Sequence, residues 1–325
     1  MTALETPTEQ YQEGATLVRS RSPWMLALRS LLRRRIALLA IIYIAAFYGI
    51  GLFAPLLAPH DYAAQNLRKS LNPPSRIYPF GTDRNGRDML SRVIIATRTT
   101  LIVTVASAIT GGFVIPVVLG LLAGYRGGWI DSLINRLGET LGSLPQLLLL
   151  ILLSATIRPR FDLFLHRFYT WPLIGGGFKA GAGDLVLIYL VVSVISWVGY
   201  ERLIRAQVLA VRRSEYVQAA RLMGAPTWRI LLQHLFPNIS WLVVLNISAS
   251  LGASALSEIA LSFLGLGVRP PTPSFGQMIF DGSGPRQVAA HPNLLLIPGV
   301  IAVLLFLSFN LLGDALNDVL NPRTR

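Results

Sequence analysis

SEYVQAARLMGAPTWRILLQHLFPN, residues 214–238, is the longest stretch between the apolar blocks of this chain that keeps helical order. Ser214 is placed to cap a helix start, and Glu215 puts a carboxylate in the first turn, where the helix dipole is positive. Gly224 supplies a stop and Pro226 bars continuation. Thr227 then caps a second, more apolar helix through Trp228, Ile230, Leu231, Leu232 and Leu235, which Pro237 closes. The expectation is two short helices meeting at a glycine elbow, with Arg212, Arg213, Arg221 and Arg229 around it. Such an elbow is a rigid knob that a partner protein can grip.

The flanking blocks set the fold class. Of the 325 residues 53% are hydrophobic and only 14% charged, against about 25% charged in soluble domains. A membrane protein follows. The net charge of +13 rests on 29 Lys and Arg, with only Lys69 and Lys179 as lysines. In a membrane protein that surplus points first to loops facing anionic lipid, and only then to nucleic acid. The absence of cysteine excludes disulfides and thiolate metal sites.

Six spans are expected, at 36–57, 101–125, 132–157, 185–200, 239–264 and 294–312, giving an all-α polytopic fold. The first is about 33 Å long as a helix, enough for a bilayer and too long for a signal-peptide core. Residues 1–35 read as a cytoplasmic tail, with 24–32 as a short interfacial helix. Residues 58–100 read as an outer loop, and 101–316 as a five-helix core containing the 201–238 loop. Residues 317–325 form a second tail. Gly120 and Gly124, like Gly138 and Gly142, have the spacing that lets helices approach closely in lipid. The fifth span carries Ala249, Ala253 and Ser257 on one line and Ser250 and Ser254 on another, so it is expected to pack against helices. Residues 158–184 form a polar, aromatic insert, expected as a hairpin in the outer interface.

Few residues suggest chemistry. Glu258 lies in the fifth span, where a carboxylate costs up to about 3 kcal/mol unless paired or wet. It either borders a translocation path or is a hydrogen-bonded packing residue, and Ser254, Ser250 and Asn246 are the neighbours that would share a path. Asp83, Asn85, Gly86 and Asp88 suggest a calcium loop but lack its closing glutamate, so a turn capping a helix near Asp88 is the better reading. Gly181–Asp184 spells the GxGD of intramembrane aspartyl proteases, without a second aspartate in the preceding spans. There is no GxxxxGK[ST] phosphate loop and no HExxH. The four histidines lie on separate segments, and His60 with His291 is the one conceivable metal pair. Asp314 and Asp318 are expected to be solvated.

The 214–238 stretch resembles the EAA loop of ABC importer permeases: Gln218-Ala219-Ala220, Gly224, then His234-Leu235-Phe236-Pro237. It is most similar to the peptide/nickel branch, with Gln218 where glutamate is usual and Glu215 three residues earlier on the same face. PFGTDRNGRDMLSRVIIATRTTL (79–101), LSFLGLGVRPPTPSFGQMIFDG (261–282) and the ending FNLLGDALNDVLNPR (309–323) are similar to the C-type subunit of dipeptide and oligopeptide permeases. The resemblance implies a type I importer permease carrying peptides, or related small solutes such as nickel complexes. It implies that Glu215, Tyr216, Gln218, Ala219, Ala220, Arg221, Gly224, Ala225 and Pro226 form the coupling helix that docks on an ATPase. It further implies a homologous B-type permease, two ATPase subunits and an extracytoplasmic solute-binding protein as partners. ATP and Mg would be bound by the ATPases; no cofactor and no catalysis are expected of this chain.

Lys and Arg divide almost evenly between the proposed inner and outer segments. Arg33-Arg34-Arg35 and the arginines of 201–238 favour a cytoplasmic placement of both, and the resemblance decides it. Two rivals remain. A self-powered secondary transporter would show internal repeats and several intramembrane charges, and no duplicated half is visible. A helix-turn-helix DNA binder fits the elbow and the charge but not the flanking spans.

Overall fold

The computed structural model describes residues 29–166 and 182–320. Among these residues every regular element is helical. Five helices are long and apolar enough to cross a membrane, and a sharply bent helix pair makes a sixth span if taken as one.

Residues 29–33 are helical and lead into α1, Arg35–Leu52. Its buried residues Ala37, Ala40, Phe47 and Gly51 form one stripe, while Leu39, Ile42 and Leu52 are exposed on the other side. That is the pattern of a helix packed on one face and open to lipid on the rest. α2 runs from Met89 to Arg126. It starts well before residue 101 because Asp88 caps it, accepting from Ser91 N–H at 3.1 Å and Ser91 Oγ at 2.6 Å.

Two helices widen to a π turn just ahead of a proline. In α2 the segment is Ala108–Val114 and the proline Pro116. In the helix Thr227–Phe263 the segment is Ile230–Leu235 and the proline Pro237. Proline has no N–H to donate and its ring crowds the carbonyl one turn back, and a wider turn absorbs both defects. Pro237 therefore does not close a second short helix: Thr227–Phe263 is continuous.

The third span differs most from expectation. α3, Gly128–Gly142, and α4, Gln146–His166, meet at 91° across residues 143–145, which include Pro145. The expected single helix over 132–157 is broken there, since Pro145 cannot extend α3. α5 is Gly183–Val211, well beyond the expected end at 200. α6 is the short Glu215–Leu222, α7 is Thr227–Phe263, α8 is Phe275–Gly282 and α9 is Asn293–Leu320. The 201–238 loop thus contracts to little more than α6. Most of the insert expected as an interfacial hairpin lies outside the described residues, as do 24–28 and both chain ends; residues 158–166 belong to α4.

α2 and α5 run in parallel. A Cβ on Gly120 would lie 2.8 Å from Ile204 Cγ2, and one on Gly124 would lie 2.7 Å from Val208 Cβ. The small-residue spacing read in the sequence does bring two helices together. At the end of the bundle bearing α6, Val117, Ile204, Val208, Val217, Ile230, Leu235 and Ile239 form one apolar cluster. At the far end Phe47, Met89, Val93, Phe275, Met278 and Leu294 form another. Arg34 Nη1 meets Asp318 Oδ2 at 2.6 Å, tying the start of α1 to the end of α9.

Candidate functional site

The elbow is a small folded unit. Ser214 occupies the position before α6 in extended backbone, but its hydroxyl donates to Val211 O at 2.7 Å instead of capping the helix. At the other end Gly224 has φ +76°, its N–H donates to Arg221 O, and Ala225 N–H donates to Ala220 O, both at 3.0 Å. This is the Schellman closure, whose left-handed residue carries no steric penalty when it is glycine. Pro226, not Thr227, is the residue that precedes the next helix in extended backbone.

α6 has two unlike faces. Val217 (0% exposed) and Ala220 are buried against Ile204 and Val208 of α5 and Ile230 and Leu235 of α7. Glu215, Tyr216, Gln218, Ala219, Arg221, Gly224 and Pro226 are exposed, and Ala225 is half-buried. At the tip Leu222 is 89% and Met223 81% exposed, with Trp228 and Leu232 exposed nearby. The sequence signal for this tip is the pair of adjacent long apolar residues, Leu222 and Met223, at the end of a polar helix.

Cations anchor the elbow to α2. Arg221 lies 4.5 Å from the centroid of the Tyr125 ring, and its Nε donates to the Tyr125 hydroxyl at 3.1 Å. Arg212 Nη1 donates to Gly124 O at 2.8 Å, supplying a cation to the free carbonyls at the C-terminal end of α2. Gln218 Nε2 donates to Arg213 O at 3.0 Å, so the amide that stands in place of a glutamate is used locally.

A second feature is an open groove of about 780 Å³ between α4, α5, α7 and α9. Ala249, Ala253 and Ser257 of α7 line it, together with Tyr200, Asn310 and Asp314. Asp314, expected to be merely solvated, borders this groove.

Glu258, Ser254, Ser250 and Asn246 lie on the buried side of α7 and are not among the groove's lining. Glu258 is 0% exposed, accepting from Thr100 Oγ1 at 2.9 Å and from Ser262 Oγ at 3.0 Å. Of its two readings, the geometry is that of the packing residue, tying α7 to α2. Ser250 occupies the space left by the missing side chain of Gly112.

At the far end Asp83, Asp88 and Asp184 are each held by hydrogen bonds. Asp83 Oδ1 accepts from Asn85 N–H at 2.8 Å and Arg87 N–H at 2.9 Å, and Oδ2 accepts from Arg87 Nε at 2.6 Å. Asp88 caps α2 and meets His60 Nδ1 at 3.2 Å. These groups hold a turn, as expected over a calcium loop. Asp184 accepts from Arg158 Nη1 at 3.1 Å and from Arg269 N–H at 3.1 Å, binding α4, α5 and the 264–274 loop together. Among the described residues no cluster of three or more His, Asp or Glu is arranged to hold a metal.

An apolar bundle with an exposed tip and an open groove has the build of a transport subunit. Residues 117–325 match the family described as binding-protein-dependent transport system inner membrane component. The chain belongs to that family. Residues 22–74 match the N-terminal TM domain of oligopeptide transport permease C. The chain is 32% identical over 94% of its length to the dipeptide transport system permease protein DppC of Alkalihalophilus pseudofirmus, covering 91% of that protein. It is 34% identical over 92% of its length to the protein of the same name in Bacillus subtilis, covering 85% of it. With the oligopeptide transport system permease protein OppC of Bacillus subtilis the identity is 31% over 94%, covering 92%.

The chain is accordingly a multi-pass inner membrane protein and the permease component of an ATP-driven importer. It is a pore subunit and not an enzyme. Permeases of this family work with a second permease, ATPases and a binding protein.

Proposed function

We propose that this chain is the C-type half of a heterodimeric peptide importer, with both termini and α6 in the cytoplasm. A B-type permease completes the pore, one of two ATPases docks on α6, and a solute-binding protein delivers solute at the far end. ATP and Mg are bound by the ATPases. Relatives named for dipeptide and oligopeptide transport support a peptidic substrate. We place the translocation wall on the open face of α7, at the exposed Ala249 and Ala253, where the groove leaves room for solute and for the second permease.

The observation that carries the coupling role is the contrast within α6. Its base is fixed by Val217 and Ala220, while Leu222 and Met223 stand almost fully out. Exposed apolar side chains on a rigid base are what a partner's groove buries. Closure of the ATPases around bound nucleotide moves that tip, and α6 passes the movement to α5 and α7 through the shared apolar cluster. The two permease states differ in their contacts with the ATPases, which is what lets nucleotide shift the balance between them.

The test is co-purification of the ATPase with the permease pair, comparing wild type with Leu222→Asp/Met223→Asp. Loss of the ATPase from an intact permease pair is the expected result. Full retention overturns the docking assignment.

A further inference from the structure

Beside α6 lies a shallow depression of about 620 Å³ lined by Arg126, Arg212, Arg213 and Arg221, with Tyr125, Gln218 and the tip residue Leu222, and no carboxylate borders it. The geometry points to a binding site for the phosphate headgroup of an anionic phospholipid.

Its level in the bundle supports a lipid. α2 and α5 run side by side, meeting at Gly124 and Val208, and both end within a few residues of that contact. The arginines therefore stand where two apolar spans terminate together, which is where headgroups lie in a bilayer. Tyr125 borders the depression and Trp129 is exposed just beyond it, amphipathic rings of the kind that collect at this boundary.

Charge at the site is unbalanced. Asp131, the acid on the neighbouring α3, is held by Arg205, whose Nη2 meets its Oδ2 at 2.6 Å. Arg212 and Arg221 are partly used, on the α2 carbonyls and on Tyr125. The Arg126 and Arg213 side chains are exposed and make no hydrogen bond or ion pair among the described residues. Arg212 serves the carbonyls at the end of α2 and Arg221 the Tyr125 ring, leaving the other two guanidinium groups for a ligand. A phosphodiester suits them, because guanidinium forks pair with phosphate oxygens in two parallel bonds. The same arginines flank α6, so an occupied site would steady the elbow that the proposed function gives to the ATPase.

The probe is phosphatidylglycerol, offered to the full-length chain in detergent micelles and in nanodiscs made with it or with phosphatidylcholine. Bound lipid is counted by native mass spectrometry, and the unfolding midpoint is measured in each lipid. Wild type is expected to retain phosphatidylglycerol in preference to phosphatidylcholine. Arg126→Gln/Arg213→Gln is expected to lose about 30-fold in that preference, taking about 1 kcal/mol for each basic residue near the surface. Its unfolding midpoint in phosphatidylcholine should not move, since neither side chain holds the fold. Equal retention by variant and wild type overturns the proposal. Displacement of the lipid by millimolar inorganic phosphate would make this a free-anion site and also overturns it. A third outcome, lost ATPase co-purification with unchanged lipid retention, assigns the arginines to the protein interface and overturns it while leaving the docking role intact.

Discussion

Gly124 of α2 and Val208 of α5 are in such close contact that a Cβ added to the glycine would lie 2.7 Å from Val208 Cβ. Just beyond this contact, Arg212 bonds the Gly124 carbonyl and Arg221 rests on Tyr125. The seam between the two helices is thus also the foundation of the elbow. Gly124→Val is expected to force them apart at a cost of about 1–3 kcal/mol or more. The expected result is a lower unfolding midpoint in detergent together with weaker ATPase co-purification. An unchanged midpoint would mean that the seam is not tight in the membrane.

Gly224 makes a different demand. Nothing stands within 4 Å of a Cβ built there, so only the backbone at φ +76° opposes substitution. Gly224→Ala should cost about 1 kcal/mol, and Gly224→Asn less, because asparagine tolerates the left-handed region better. Midpoints in the order Gly, Asn, Ala test this.

The same charge on the two faces of α6 should act in opposite ways. Val217→Asp places an unpaired carboxylate in the apolar cluster, an expected loss of about 3 kcal/mol or more. Leu222→Asp should leave the unfolding midpoint within experimental error, yet weaken the ATPase complex. Equal destabilisation by both would remove the distinction between base and tip.

Glu258 offers a test of packing against pore lining. Glu258→Gln keeps acceptor and donor atoms for the Thr100 and Ser262 hydroxyls and is expected to leave transport near wild type. Glu258→Ala strands both hydroxyls and opens a cavity between α2 and α7, costing about 2–4 kcal/mol. Altered solute selectivity in a stably folded Glu258→Gln protein would return this residue to the translocation path.

Asp281 carries a pH dependence. Burial raises its carboxyl above the ordinary carboxylate range, against the pull of Arg92, Arg87 and Arg84. A raised folded-state value means that the unfolded chain ionises first as pH rises. The wild type therefore loses stability once pH passes the ordinary aspartate value, and the loss is complete above the folded value. Asp281→Asn lacks this loss, so its advantage over wild type should be absent in acid and grow towards neutral pH. An advantage that is constant with pH would exclude ionisation as its source.

The sequence by itself determined the class of the molecule. Apolar blocks of bilayer length, scarce charge and Arg33-Arg34-Arg35 are local properties, and they required a helical membrane protein. Gly224 was legible as the elbow for the same reason, since a left-handed turn after a helix is chosen by one residue. The close seam at Gly120 and Gly124 was legible too, but the same spacing at Gly138 and Gly142 makes no such seam, a Cβ there meeting only Val198 and Arg202 side-chain atoms at 3.3 Å or more.

Other features were decided by tertiary structure. Pro237 and Pro145 carry the same local signal for stopping a helix. One is absorbed by the π turn Ile230–Leu235, held in the apolar cluster, and the other marks a 91° bend. Which face of α7 is open also depends on neighbours: Ser250 and Ala249 are adjacent in sequence, yet one meets Gly112 of α2 and the other an open groove. A helix has the same small residues on both sides, and only the packing of α2, α4, α5 and α9 around it determines which of them remain for a partner or a solute.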